Sequence, residues 1–332
     1  MLDDRLAPLT AWLIEKYEDK GIVLQPLSGD AGFRKYFRFH SKGQHYIAVD
    51  APNRYCNNQA YEMLEKRFAV ANIPSLTILH VDQDRGFFSL KDLGDTLLAD
   101  ILTSETVIER YQEAIDLLPE IAMLSRENLP EYDRDFVQRE LNIFIEWLVE
   151  HHLALTVSDQ EREALQCCFN ILIENILAQP QVFMHRDFHS RNLMWYQDKL
   201  AVIDFQDAVV GPVTYDIVSL LRDCYVKWPV PVVNEAFRYF VEEFGEQLIG
   251  EKLPMSQWQR WFDLTGIQRH IKAAGIFARL KHRDNKLGYM KDIPLTLTYI
   301  VEICQHYPEL TPLKLFVAEK VLPHFTEETL QK

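Results

Sequence analysis

No stretch of this 332-residue chain approaches the roughly 20 continuous apolar residues that a membrane-spanning helix needs, so no membrane partner is expected. Basic charge is scarce as well. Only 35 Lys and Arg stand against 49 Asp and Glu, a formal net charge of −14, which excludes a broad non-specific grip on nucleic acid. The five cysteines contain no C-x-x-C pair, and the N-terminus "MLDDRLAPLT" lacks a basic segment followed by an apolar one. A disulfide framework is therefore excluded, and a reducing, cytoplasmic setting is expected. The adjacent Cys167 and Cys168, within the helical pattern "EALQCCFNILIENIL", read as buried free thiols.

What is present is ordinary globular material. Apolar residues make up 48% and charged residues 25%, so the chain is expected to fold throughout. Its length exceeds what one hydrophobic core usually fills, which favours two lobes or two domains. No internal repeat and no low-complexity linker interrupts it.

The texture of the sequence changes once. Leu6, Leu9, Leu13 and Tyr17 recur at helical spacing before Gly21, predicting a first helix. "IVLQPL", "FRKYFRFH" and "QHYIAVD" follow as β-branched and aromatic runs split by "SGDAG" and "SKG", the pattern of an antiparallel meander. "NNQAYEMLEKRFAVA" predicts a helix capped by Asn57 or Asn58, and "SLTILHVD" and "GFFSLKDL" two more strands. Beyond a connector at Asp92 to Asp95, helices are predicted at 104–125, 133–151 and 158–178, strands near 182–184, 192–196 and 200–204, and mainly helices from 214 onward. The expected domains are a β-rich lobe over residues 1–92, a hinge near 91–95, and a mostly helical lobe over 96–332.

Chemistry concentrates in two short segments. "MHRDFHSRN" carries Asp187 and Asn192, and "VIDFQD" carries Asp204 and Asp207. Phosphoryl transfer needs one carboxylate to orient and deprotonate the acceptor, and oxygen ligands to hold Mg²⁺ against nucleotide phosphates. Asp187 fits the first role; Asn192 and Asp204 fit the second. H-R-D-F-x-x-x-N matches the kinase catalytic loop in all but one apolar residue, and "IDF" stands where the kinase D-F-G aspartate would, with Gln206 replacing its glycine. A competing reading takes His185 and His189 as a zinc-binding pair four apart. Asp rather than Glu lies between them, however, and no third ligand is indicated nearby.

"HRDFHSRN" followed by "VIDFQDAVVGPVTYD" resembles the aminoglycoside phosphotransferase and choline kinase branch of the protein-kinase-like fold. Within that branch "GDAGFRKYFR", "DAP", "LKDLGD" and "DIVSLLRDCYV" resemble the bacterial anomeric kinases of cell-wall recycling, which phosphorylate N-acetylmuramate and N-acetylglucosamine at C1. The likeness runs from about residue 25 to 290. It implies an α+β, bilobal protein-kinase-like fold with a small antiparallel β-rich N-lobe and a larger, mainly helical C-lobe. It also implies an ATP- and Mg²⁺-dependent, monomeric kinase acting on a small amino sugar. Asp187 would be the base, Asn192 and Asp204 the Mg²⁺ ligands, and Asp216 the buried support of the catalytic loop. His185 would brace that loop, and His189 would approach the transferring phosphate. An aminoglycoside or choline-type acceptor is the alternative within enzymes; a nucleotide-binding pseudokinase is the alternative outside them.

Two departures from the pattern stand out. "HYIAVDAP" offers Ala48, Val49 and Asp50 where a kinase strand lysine would pair with the phosphates, which leaves Arg34, Lys35 or Arg38 on the neighbouring strand as substitutes. The first turn carries only Gly29 and Gly32 in place of a full G-x-G-x-x-G; both are candidates for covering phosphate. Glu62 is the candidate partner of the substitute base. Lys91, Asp92 and Leu93 are expected at the adenine edge. Arg222, Asp223 and the polar face of "GIQRHIKAAGIFARLKHRDN" are the acceptor-binding candidates, an arginine suiting a substrate carboxylate.

Overall fold

The computed structural model describes residues 3–27 and 33–325. The chain opens with α1 (Asp3–Tyr17), β1 (Gln25–Pro26), β2 (Lys35–Ser41), β3 (Gln44–Asp50), α2 (Asn58–Val70), β4 (Ile78–Asp82), β5 (Phe87–Lys91) and α3 (Leu98–Ile101). It continues through α4 (Val107–Ile115), α5 (Leu118–Ala122), α6 (Arg134–Ile143), α7 (Asp159–Leu177), β6 (Gln181–Met184), β7 (Leu193–Tyr196), β8 (Lys199–Val202) and β9 (Val209–Pro212). The rest is helical: α8 (Tyr215–Leu221), α9 (Val230–Ile249), α10 (Met255–Asp284), α11 (Ile293–Cys304) and α12 (Thr311–Leu315). Two compact units result, Met1–Leu102 with Arg191–Asp207, and Thr103–Ser190 with Ala208–Lys332.

In the first unit the described strands form an antiparallel sheet in the order β1-β2-β3-β5-β4. Ser41 pairs with Gln44, so the β2–β3 turn is two residues long. Lys42 and Gly43 both take positive φ, 48° and 85°, which matches the right-handed twist of the strands they join. Alternate β2 residues Phe37 and Phe39 bury beneath Leu9, Trp12 and Leu13 of α1, with Ala48 and Phe87 beside them. α2 starts where the Asn57 side chain accepts the Ala60 N–H at 3.1 Å. In the predicted strand at "IVLQPL", Gln25 and Pro26 pair with Arg38 and Phe37, and the Leu27 N–H donates to Tyr36 O at 2.9 Å.

The hairpin of β7 and β8 belongs to this unit. Val202 N–H donates to Pro74 O at 2.8 Å, Trp195 N–H to Thr96 O at 2.8 Å, and Phe205 stacks on Phe68 of α2 at 4.7 Å.

In the second unit α10 is buried along most of its length and packs with α6, α7, α8 and α11. A Cβ at Gly275 would lie 2.5 Å from the Phe144 nitrogen, so glycine lets the two helix backbones touch. There the helix begun by α6 widens to π-type hydrogen bonding over Phe144–His152. The helix predicted over 104–125 is two helices, α4 and α5, since Pro119 cannot donate an interior helical hydrogen bond. α7 matches its prediction and is closed by a reciprocal Ser158–Glu161 cap. One strand went unpredicted: β9 pairs antiparallel with β6. Cys168 is buried as expected, but Cys167 is exposed, one position round the helix.

Candidate active site

Asp187 lies in the second unit, on the loop that follows β6. The loop is held from three sides. Asp216, at the start of α8, accepts the His185 N–H at 2.7 Å and the Arg186 N–H at 3.0 Å, the support the sequence assigned to it. Arg186 takes φ of 75°, a conformation disfavoured for a side chain with Cβ. Farther on, Asp223 accepts the Ser190 hydroxyl at 2.5 Å and the Ser190 N–H at 3.2 Å. The third tether is the Arg186 guanidinium, which donates to Glu140 at 2.7 Å and lies over Phe136.

The two histidines diverge. His185 is fully buried, and its Nδ1 accepts the Asp187 N–H at 3.3 Å. His189 stands edge-on to Tyr225, with ring centroids 5.4 Å apart. Among the described residues no group of three or more His, Cys, Asp or Glu is arranged to hold a metal ion.

Burial works against ionising Asp187, yet Lys272, Arg186, His189 and Arg269 outweigh it and hold its carboxyl below the usual aspartate range. A carboxylate kept ionised can accept a hydroxyl proton. Glu140 is likewise held low: burial opposes its charge, and Lys272 and Arg186 prevail. Lys272 donates to the Tyr215 hydroxyl at 3.0 Å and lies 3.8 Å from Glu140. Glu140 was missed at the sequence level. Its signal was there, a carboxylate at helical spacing between the buried Val137 and Phe144.

Asn192 and Asp204 lie in the first unit, flanking the β7–β8 hairpin. The Asn192 side-chain amide reaches Asp204 Oδ2 at 3.4 Å, and Gln206 donates to Oδ1 at 2.6 Å. Ile203 N–H donates to Asn192 O at 3.0 Å, and Asp204 itself takes φ of 66°. An amide flip would turn the Asn192 oxygen toward the same point as the Asp204 carboxylate. One carboxylate and one amide oxygen are a donor set that suits Mg²⁺, which keeps waters and phosphate oxygens as its other ligands.

The three basic residues of the neighbouring strand differ. Arg38 forks onto Asp92 at 2.6 and 3.1 Å and onto Asp95 at 2.8 and 3.0 Å, so it staples the "KDLGD" connector. Lys35 is exposed at the start of β2. Arg34 lies over the Tyr61 ring at 4.7 Å and donates to Asn57 O at 3.2 Å, while its buried Nε has no partner among the described residues. It shares surroundings with Asp204: burial foremost, then Asp204, raises the Tyr36 hydroxyl, and Arg34 opposes the rise. Glu62 pairs with Lys66 and Gln83, both at 2.5 Å. Gly29 and Gly32 lie outside the described residues. Lys91 covers the Tyr196 ring at 4.8 Å, Asp92 accepts the Gly94 N–H at 2.9 Å, and Leu93 is buried.

Both acceptor candidates are engaged within the fold. Arg222 pairs with Asp263, its guanidinium over Phe262, and Asp223 is 1% exposed beneath Ser190.

An antiparallel sheet unit, a helical unit, an aspartate on a fixed loop and an Asn–Asp pair flanking a hairpin define the protein-kinase-like class of phosphotransferases. The chain belongs to the phosphotransferase enzyme family, whose model matches residues 23–248. It is 38% identical to an N-acetylmuramate/N-acetylglucosamine kinase of Neisseria meningitidis serogroup B over 96% of both chains. A kinase of the same name from Pseudomonas putida is 37% identical over 96% of this chain and 97% of that one. Among solved structures, aminoglycoside phosphotransferase APH(4)-Ia, in a ternary complex with ADP and hygromycin B, matches 90% of this chain and 99% of its own at a TM-score of 0.59 and 16% identity. Choline kinase LicA from Streptococcus pneumoniae matches 88% and 98% at a TM-score of 0.62 and 12% identity. Those two likenesses concern the fold. No helix among the described residues is long and apolar enough to cross a membrane.

Proposed function

We propose that this protein is an ATP- and Mg²⁺-dependent kinase that phosphorylates the C1 hydroxyl of N-acetylmuramate and N-acetylglucosamine in the cytoplasm, as a monomer, within peptidoglycan recycling. The observation that carries the reading is the end-to-end match to relatives sharing one name, 37–38% identical over 96% of the chain. The ionised Asp187 supports the chemistry that the name implies.

In this reading Asp187 accepts the C1 hydroxyl proton as that oxygen bonds to the γ-phosphorus and the bond to ADP breaks. A hemiacetal hydroxyl is more acidic than an ordinary alcohol, so the carboxylate orients as much as it abstracts. Bound Mg²⁺ supplies charge neutralisation at the phosphate oxygens, and Asn192 and Asp204 are the residues that would hold it. His189 approaches the transferring phosphate. Arg34 takes the part of the absent strand lysine, supported by its unpaired Nε and its shared surroundings with Asp204. Gly29 and Gly32 cover the phosphates, and backbone groups of Lys91, Asp92 and Leu93 meet the adenine edge. Residues 1–92 form the nucleotide-binding lobe, and 96–332 carry catalysis and acceptor binding. Arg222 and Asp223 serve the acceptor side by fixing the elements around Ser190.

An ATP-consumption screen with N-acetylmuramate, N-acetylglucosamine, kanamycin and choline, with the phosphate position assigned by NMR, tests the reading. Turnover of both sugars at C1 is expected. Turnover of choline or kanamycin alone would overturn the amino-sugar assignment.

A further inference from the structure

Among the described residues, none forms an ion pair with Arg269. It lies on α10, is 4% exposed, and its only hydrogen bond to a described residue is from Nη1 to the Cys224 thiol at 3.2 Å. Its Nε is buried with no partner among the described residues. Asp187 and Asp223 lie near enough for their charges to favour the guanidinium against burial, but neither hydrogen-bonds it, so its N–H donors stay open to an anion. Other strongly buried cations among the described residues of this unit do have one: Arg186 and Lys272 share Glu140, and Arg222 has Asp263.

The position of Arg269 relative to Asp187 follows from the packing. Cys224, which it touches, adjoins Asp223, and Asp223 clamps Ser190 on the far side of the loop. Lys272, one helical turn further along the same face of α10, donates to Tyr215, whose neighbour Asp216 clamps His185 and Arg186 on the near side. Asp187 stands between the two clamps, and the charge of Arg269 bears on its carboxyl.

We infer that Arg269 is the specificity-determining residue for a carboxylate on the acceptor, meeting the lactyl carboxylate of N-acetylmuramate when the sugar presents its hydroxyl to Asp187. This rests on the function proposed above. The two sugars differ at the group in question: N-acetylmuramate carries an ether-linked carboxylate that N-acetylglucosamine lacks. A planar guanidinium meets a carboxylate through paired N–H donors, and a buried one gains more from the pairing than an exposed one. The neutral sugar would leave Arg269 as it stands here, on a thiol.

The test compares kcat/KM for the two sugars in wild type, Arg269→Gln and Arg269→Lys. The ratio is insensitive to the fraction of folded protein, because both sugars are read on the same preparation. In Arg269→Gln both sugars lose the charge that Arg269 lends to the Asp187 carboxylate, and beyond that shared loss the preference for N-acetylmuramate over N-acetylglucosamine is expected to fall by about 100-fold. Arg269→Lys should fall between. Equal losses on both sugars, or no change in the ratio, would overturn the assignment. If Arg269→Gln does not fold, the wild-type enzyme decides: the neutral methyl ester of N-acetylmuramate should be phosphorylated at least about tenfold less efficiently than the acid. Equal use of acid and ester overturns the role of Arg269 while leaving the kinase reading intact. Turnover of neither sugar overturns both.

Discussion

Asp216 Oδ1 accepts the backbone N–H of Arg186 at 3.0 Å, and Arg186 stands there with φ of 75°. The other carboxylate oxygen takes the His185 N–H at 2.7 Å, so one buried side chain fixes two consecutive peptides of the loop that presents Asp187. Without it two backbone donors lose their acceptor and the strained residue can relax. Asp216→Ala should therefore cost ~2–4 kcal/mol of stability and lower kcat about tenfold or more, with nucleotide affinity changed less than threefold. Urea unfolding and steady-state kinetics read both. Unchanged turnover in a destabilised protein would separate Asp216 from the geometry of the loop.

Glu140 is the counter-charge for two buried cations, Arg186 at 2.7 Å and Lys272 at 3.8 Å. Glu140→Gln leaves both uncompensated and is expected to destabilise by ~3–5 kcal/mol. The sign with pH follows from its lowered pKa. Its stabilisation is fully present above the unfolded carboxyl value and is lost as pH falls through the lower folded value. The gap between wild type and Glu140→Gln should thus narrow in acid; a gap constant from neutral pH into that range would argue against the ion pairs as its source.

Arg38 joins β2 to the connector through Asp92, Asp95 and the Gly94 carbonyl, the last at 3.2 Å. A lysine keeps the charge but cannot fork. Arg38→Lys is expected to cost ~1–3 kcal/mol, mostly through the largely buried Asp92, and to raise KM for ATP with kcat little changed. Calorimetry with ATP titration checks this, and a fall in kcat at constant KM would speak against a role at the connector.

Much of this was legible beforehand, and the gaps have physical causes. The β2–β3 hairpin was readable because "SKG" supplies the positive-φ turn, and α7 because Ser158 and Glu161 form a reciprocal cap. Local chemistry writes such features into neighbouring residues. β9 was not readable: "VVGP" is short and contains a proline, and its pairing with β6 is a long-range event. The split between α4 and α5 was visible in Pro119 and outweighed by a continuous apolar period. Asp187, Asn192 and Asp204 could be proposed because the H-R-D-F-x-x-x-N and "IDF" patterns are local in the sequence, and Asp216 through the family resemblance. Arg269 lay within the candidate face "GIQRHIKAAGIFARLKHRDN", but the sequence could not tell it from Arg222, since that depends on which buried cations find carboxylates. Arg222, its rival in sequence, finds Asp263, 41 residues away.

His270 gives a pH prediction of its own. Burial foremost, then the charge of Arg269, pushes its pKa down to about 3 from 6.5, although its Nε2–H donates to the Arg222 carbonyl at 2.9 Å. Between pH 6.5 and 3 the unfolded chain binds a proton that the folded one refuses, so stability falls as pH falls, by up to about 1.4 kcal/mol per unit. His152, pushed down to about 4, adds to the same slope. His270→Gln removes one titrating group and should flatten the dependence of the urea midpoint on pH in that window. An identical slope would show that His270 is accessible to protons in the folded state.

The central claim is that Asp187 carries the transfer. The most direct measurement is the turnover of Asp187→Asn on N-acetylmuramate, set beside its affinity for MgATP. A fall in kcat of about 100-fold or more is expected, with MgATP affinity within about threefold of wild type. Turnover near the wild-type rate would contradict it, and would mean that another residue positions the acceptor hydroxyl.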